Sequence, residues 1–187
     1  LSSPTLATTS SPLRLGPDLG IGVPGRALVE RLNAARILVD LAHISREGFW
    51  TAVDAHDPHL PLIVTHTGVS GVHRHWRNLD DGQVGAVAEP GGAIGILFHA
   101  PFLGDRAWSG GASRVGDHPA HVVRVGGEDA PAIGSDFDGF IIPPRDLTSV
   151  LEMPRLVEAM LLRGFSPELV RKILGENFLS VLAEVRP

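Results

Sequence analysis

Short apolar runs alternate with longer amphipathic stretches along the chain, and glycine, proline and polar residues separate them. Ile37–Leu41, Leu62–Thr65, Ala93–Phe98 and Ala132–Gly134 have the length and β-branched content of buried strands. Between and after them the apolar spacing becomes helical. Gly25–Arg36 places Leu28, Val29 and Leu32 on one stripe, and Ser45 is a candidate N-cap for a second helix over Ser45–Ala55. A short helix is predicted around Asp80–Ala88 and another over Val115–Val125, with Pro119 in its first turn. Helical pieces over Leu147–Arg163, Pro167–Leu174 and Asn177–Glu184 close the chain, with Gly164 and Gly175 as stop signals and Ser166 as an N-cap. Residues 1–24 are rich in Ser, Thr, Pro and Gly and read as loop or linker. Strands alternating with helices predict an α/β fold with a parallel sheet.

Composition narrows this picture. The 187 residues suffice for one cored domain or for part of a larger one, and 43% hydrophobic and 20% charged residues are ordinary for a globular chain. A formal net charge of −5 without a basic cluster gives no footprint for nucleic acid. No apolar run approaches the roughly 18 residues of a membrane span, and no lipidation signal is visible. Cysteine is absent, so disulfides and thiolate ligands are excluded while the compartment, cytoplasmic or secreted, stays open. The nine histidines leave imidazole and carboxylate as metal ligands. The chain opens on Leu1 with no signal-peptide pattern, which reads as the edge of a fragment or processed product.

Candidate chemistry gathers where strands end. Asp40-Leu41-Ala42-His43 finishes the first strand, Thr65-His66-Thr67-Gly68 the second and Ser135-Asp136-Phe137-Asp138-Gly139 the last. Carboxyl ends of parallel strands face one mouth, and successive strand ends lie about 5 Å apart, so His43 and His66 can converge on one ion. Asp136 can bind metal or move a proton between water and a leaving group. In strand phase Asp40 faces away from Leu41 and His43, a poor placement for supporting that histidine. Arg77 offers a planar fork suited to a carboxylate. His73 and His75 read as surface residues, Trp76 as packing on the rim, and His99 as a strand-end residue within reach of the mouth. His118 and His121 fall three apart on one helix face and read as structural.

Together these motifs resemble the carboxyl-terminal half of the renal, or membrane, dipeptidase family of zinc peptidases. The resemblance rests on Asp40-Leu41-Ala42-His43-Ile44-Ser45, Thr65-His66-Thr67, Arg77-Asn78-Leu79-Asp80-Asp81, Ile133-Gly134-Ser135-Asp136-Phe137-Asp138-Gly139 and Leu174-Gly175-Glu176-Asn177-Phe178. It implies an amidohydrolase-like (β/α)8 TIM barrel with two zinc ions that hydrolyses dipeptide amide bonds. His43 and His66 would be ligands of one ion, Arg77 the clamp for the dipeptide's terminal carboxylate and Asp136 the metal-proximal acid/base residue. A homodimer is expected on the same ground alone. The family's His-x-Asp pair and bridging glutamate have no counterpart in this chain, threonine stands where serine often precedes the second ligand histidine, and Asp54–Pro61 reads as a local insertion. Four strands cannot close a barrel of eight. Residues 25–187 are therefore expected to form the C-terminal half of a metal-dependent hydrolase barrel, inactive alone, poorly folded or dependent on a missing half.

Two other readings stand beside this one. A half-barrel lacking its first metal site could serve as a non-catalytic binding or assembly module. Asp136 and Asp138 could instead form the Asp-x-Asp-Gly pair of a Mg²⁺ phosphohydrolase, although that signature calls for Thr or Val where Phe140 follows the glycine.

Overall fold

In a computed structural model, residues 19–104 and 111–186 are described. The elements run α1 (Gly22–Ala34), β1 (Val39–Asp40), α2 (Arg46–Ala55), β2 (Leu62–Thr67), α3 (Asp81–Ala88), β3 (Ala93–Ile96), α4 (Gly111–Gly126), β4 (Pro131–Ile133), α5 (Met153–Leu162), α6 (Pro167–Arg171) and α7 (Asn177–Val185). The strands form one parallel sheet in the order β1-β2-β3-β4, each pairing with the next in sequence. That is the α/β arrangement expected from the alternation of elements.

Side-chain alternation divides the sheet into two faces. Val39, Leu41, Leu62, Val64, Ile94 and Ile96 join the main core with α1 to α6, where Phe49, Val84, Val115, Leu156 and Met160 are fully buried. Ile63, Ala93 and Ala132 on the opposite face meet Val181 of α7, flanked by Leu38 and Phe178. Because both faces are covered, β3 is buried at every position, as a parallel sheet requires.

Local signals set most helix ends. The Ser45 hydroxyl accepts from the Gly48 N–H, as its N-cap assignment predicts, and Ser166 caps α6 through the Leu169 N–H. Asp80 and Gln83 form a reciprocal capping box at α3. Gly164 adopts φ +86° after α5, a left-handed stop that glycine reaches without strain.

Several boundaries differ from the sequence reading. Helix α1 begins at Gly22, inside the stretch expected to be loop, whose first 18 residues lie outside the described part. Helix α4 begins at Gly111, four residues early, so Pro119 sits well inside it and not in its first turn. The early start has a visible cause: the Asp146 carboxylate accepts from the Ala112 N–H and satisfies that end from a distant loop. The glycine-rich stretch Gly104–Ser113 reads as a loop from its sequence; its residues 105–110 lie outside the described part, and Gly111–Ser113 belong to α4. Leu147–Arg163 is not helical throughout. A 3-10 turn at Val150–Glu152, capped by Ser149, precedes α5. A π-helical turn at Lys172–Glu176 joins α6 to α7, so Gly175 bends a helical run instead of ending it.

Candidate metal and substrate site

Three of the candidate side chains lie at the carboxyl ends of the strands. His43 follows β1, His66 is the fifth residue of β2 and Asp136 follows β4. His43 (φ +65°) and Asp136 (φ +59°) both adopt left-handed backbone, which non-glycine residues rarely hold and which tends to collect at functional sites. The chain thus turns sharply at each of these two residues.

His66 reaches the mouth by another route. Strict alternation would place it with Leu62 and Val64, beneath the helices. The pairing of Val64 with Ile94 and of Thr67 with Ile96 sets three residue steps on β2 against two on β3, a β-bulge with one extra residue. Gly95 of β3 and Gly134, just past the end of β4, make room for it. An ideal Cβ on Gly95 would lie 2.0 Å from the Thr65 carbonyl oxygen, and one on Gly134 only 1.8 Å from the same oxygen. Any side chain at either position would occupy the space that the displaced carbonyl takes.

With the bulge in place, His43 Nε2 and His66 Nε2 lie 2.6 Å apart, with ring centroids at 4.7 Å and planes tilted by 57°. Burial lowers the pKa of His43 to about 4, assisted by the positive charges of Arg77 and His66 against Asp136 and Asp40. Burial and Arg77 lower His66 as well. Both rings are neutral at pH 7, the form that binds metal.

Arg77 is 8% exposed and lies against the same group. Its guanidinium donates to the His66 carbonyl at 3.3 Å, and burial lowers its pKa to about 10 against the opposing pull of Asp40 and Asp136. The negative charge of Asp136 opposes the lowering of the pKa of His43, His66, Arg77 and His99. Among the described residues, however, no three His, Asp or Glu side chains are grouped closely enough to hold a metal ion. The donor chemistry of the histidine pair suits a metal that prefers imidazole. Two nitrogens on a tetrahedral ion at about 2.1 Å stand roughly 3.4 Å apart, so the rings fit such an ion after parting by less than an ångström. Alone they would supply only part of a coordination shell.

The loop carrying Arg77 is pinned from three sides. Asn78 Nδ2 donates to the carbonyls of His73 (2.9 Å) and Phe102 (2.8 Å), tying the loop after β2 to the loop after β3. His118 Nδ1 accepts from the Val69 N–H at 3.0 Å, while its Nε2 donates to the Leu103 carbonyl at 3.4 Å. His121 donates to Asp81 at 2.6 Å, and Gly71 is pressed so closely on its ring that a Cβ would lie 1.8 Å from Cε1. These two histidines share a helix face and are structural, as expected, and both are buried under this loop.

Other expectations are modified. His73 and His75 are half-buried: His75 stacks on Phe102 at 4.2 Å, and His99 meets the same ring edge-on at 4.6 Å. Trp76 is 48% exposed beside a cleft of about 420 Å³ that Arg46, Arg74 and Arg77 also line. His99 Nδ1 accepts from the Ile142 N–H, which ties the β3 end to the loop after Asp136. Asp138 lies exposed in the turn beyond Asp136.

Asp40 was undervalued by strand phase alone. It is 3% exposed and takes hydrogen bonds from the backbone and hydroxyl of Thr65, next to His66. A sequence signal for the bulge does exist. The tripeptide Ala-Ile-Gly occurs at 93–95 and again at 132–134, with both glycines against the displaced carbonyl.

Residues 6–187 match the family model described as membrane dipeptidase, peptidase family M19. The chain is 33% identical over 174 residues to an uncharacterised protein of the pqqA 5′ region of Klebsiella pneumoniae, covering 90% of this chain and 63% of that protein. It is 35% identical over 181 residues to dipeptidase tcpJ of Claviceps purpurea, covering 96% and 41% respectively. A crystal structure of a metallo peptidase from Rhodobacter sphaeroides, liganded with a phosphinate mimic of the dipeptide L-Ala-D-Ala, superposes with TM-score 0.82 at 34% identity. That match covers 89% of this chain and 47% of the other. The chain therefore spans roughly half the length of such relatives.

Proposed function

The chain belongs to the membrane dipeptidase family, peptidase family M19, and from that premise we propose that it forms the carboxyl-terminal half of a zinc-dependent dipeptidase. The four parallel strands, ordered as in the sequence, would be consecutive strands of a (β/α)8 barrel, with β1 and β4 meeting strands outside this chain. The observation that carries the reading is the approach of His43 Nε2 to His66 Nε2 at 2.6 Å beside the buried guanidinium of Arg77. Two neutral imidazoles aimed at one point beside a carboxylate-binding fork match the needs of a metal-dependent enzyme acting on a peptide with a free C-terminus.

In this reading His43 and His66 would hold one zinc ion, whose remaining ligands would come from the part of the barrel outside this chain. Bound zinc supplies Lewis acidity toward the scissile carbonyl and toward water. Arg77 grips the terminal carboxylate of the dipeptide and fixes the register of the substrate. Its position against the His66 carbonyl couples that grip to the metal side of the site. Asp136 accepts a proton from the attacking water and delivers it to the leaving amine, the usual double duty of an acid/base group in amide hydrolysis.

The test uses the full-length product of the gene. It should bind zinc and hydrolyse dipeptides, and Arg77→Ala should raise KM by about 10- to 100-fold, the loss of a charge-assisted carboxylate contact of roughly 1.5–3 kcal/mol. Full-length protein that contains zinc yet leaves a broad dipeptide panel intact would refute the activity. A non-catalytic half-barrel module would then remain. Hydrolysis of phosphate esters abolished by Asp138→Asn would point instead to the phosphohydrolase reading.

A further inference from the structure

We propose that Asp40 and Thr65 form a hydrogen-bond relay that fixes which ring nitrogen of His66 carries the proton and thereby aims the Nε2 lone pair at His43. The inference rests on His66 being a metal ligand for its purpose, but its geometry stands without that reading.

Asp40 is buried at the end of β1, and its carboxylate takes three hydrogen bonds. Oδ1 accepts from the backbone N–H of Ala42 at 3.0 Å and of Thr65 at 3.1 Å. Oδ2 accepts from the Thr65 hydroxyl at 2.7 Å. The N–H of Thr65 is thus held across β1 by a side chain, at the residue where β2 bulges.

Thr65 Oγ1 also lies 3.0 Å from His66 Nδ1. A hydroxyl has one proton, and here the carboxylate takes it. Toward His66 the threonine oxygen can only accept, so Nδ1 must be the protonated nitrogen. In the neutral ring the other nitrogen, Nε2, then presents its lone pair, and Nε2 is the atom that faces His43 at 2.6 Å. Partners of this kind behind a ligating histidine hold both ring orientation and tautomer. Asp40 and Thr65 are thus positioning residues, acting through His66 without touching substrate.

The relay is testable in the metal-free full-length protein labelled with ¹⁵N in histidine. Side-chain ¹⁵N shifts and their ring-proton correlations should identify His66 as the Nδ1–H tautomer. Thr65→Val, which replaces the hydroxyl by a methyl group, should abolish that preference and lower zinc affinity by about 10- to 100-fold. Thr65→Ser, which keeps the hydroxyl, should restore both. An Nε2–H tautomer in the wild-type protein overturns the proposal, even if Thr65→Val fails to fold. So does a Thr65→Val protein that keeps the Nδ1–H tautomer. If the tautomer behaves as expected but no variant, wild type included, binds zinc, the relay stands and the metal reading fails.

Discussion

Gly134→Ala is a single-methyl test of how the site is assembled. The added Cβ would lie 1.8 Å from the Thr65 carbonyl oxygen, 2.9 Å from its carbon and 3.2 Å from His66 Cα. An ordinary carbon–oxygen contact is about 3.3 Å, so carbonyl and strand must separate by roughly 1.5 Å. All three contacts are backbone, and no flexible side chain can yield in their place. Overpacking of this kind costs about 1–3 kcal/mol, a fall of a few degrees in Tm. The functional effect should be larger than the loss of stability suggests, because the atoms displaced are those that turn His66 into the mouth. A misplacement of about 1 Å in a reacting constellation costs on the order of 100-fold. Thermal unfolding and zinc titration of the full-length Gly134→Ala protein should therefore show a modest fall in Tm and a fall in zinc affinity of about 100-fold. Wild-type affinity in the variant would show that the bulge does not place His66, and the reasoning from Gly95 and Gly134 would be refuted.

Gly85→Ala provides a contrast: a Cβ there meets nothing within 4 Å, and the position lies inside α3. It should raise stability by about 0.5–1 kcal/mol in urea unfolding, and a loss would contradict the open space. His118 supplies a pH dependence. Burial lowers its pKa from 6.5 to about 4 against the bond to the Leu103 carbonyl, so the unfolded chain binds the proton more readily than the folded one. Stability should hold above pH 6.5 and fall as pH drops from 6.5 toward 4, with about 2 kcal/mol lost by pH 5. Urea midpoints at pH 7 and pH 5 measure this. His118→Leu should be less stable at pH 7, because the Val69 N–H loses its acceptor, and should show a shallower pH dependence; an unchanged slope would refute the assignment.

Much of the fold was legible in the pattern of residues. Apolar runs bounded by glycine, proline and capping residues located four strands, and their alternation with helices implied a parallel sheet. Ser45, Ser166 and Gly164 act where their chemistry placed them, since capping depends on neighbours within a turn. The early start of α4 is set by a distant contact, whereas the turn before α5 has a local cap at Ser149. The Asp146 carboxylate reaches across the fold to the start of α4, and no local rule anticipates it.

The site divides along the same line. The residue types at the strand ends and in the loop after β2 marked which side chains had chemistry to offer: His43, His66, Arg77 and Asp136. Tertiary structure decided how they are aimed. The period of a strand assigns faces by counting, and one extra residue at Thr65 reverses the count for His66. That bulge depends on two glycines from other segments and on Asp40, which strand phase alone had turned away from the site. His118 and His121 show the same limit. Their helical spacing was visible in the sequence, but the loop they hold lies about 50 positions earlier in the chain, as the spacing of 49 between Val69 and His118 shows. A sequence records the chemistry of each side chain and the periodicity of its neighbours. Hydrogen bonds and close contacts between distant segments exist only once the chain has packed, and those contacts orient the site.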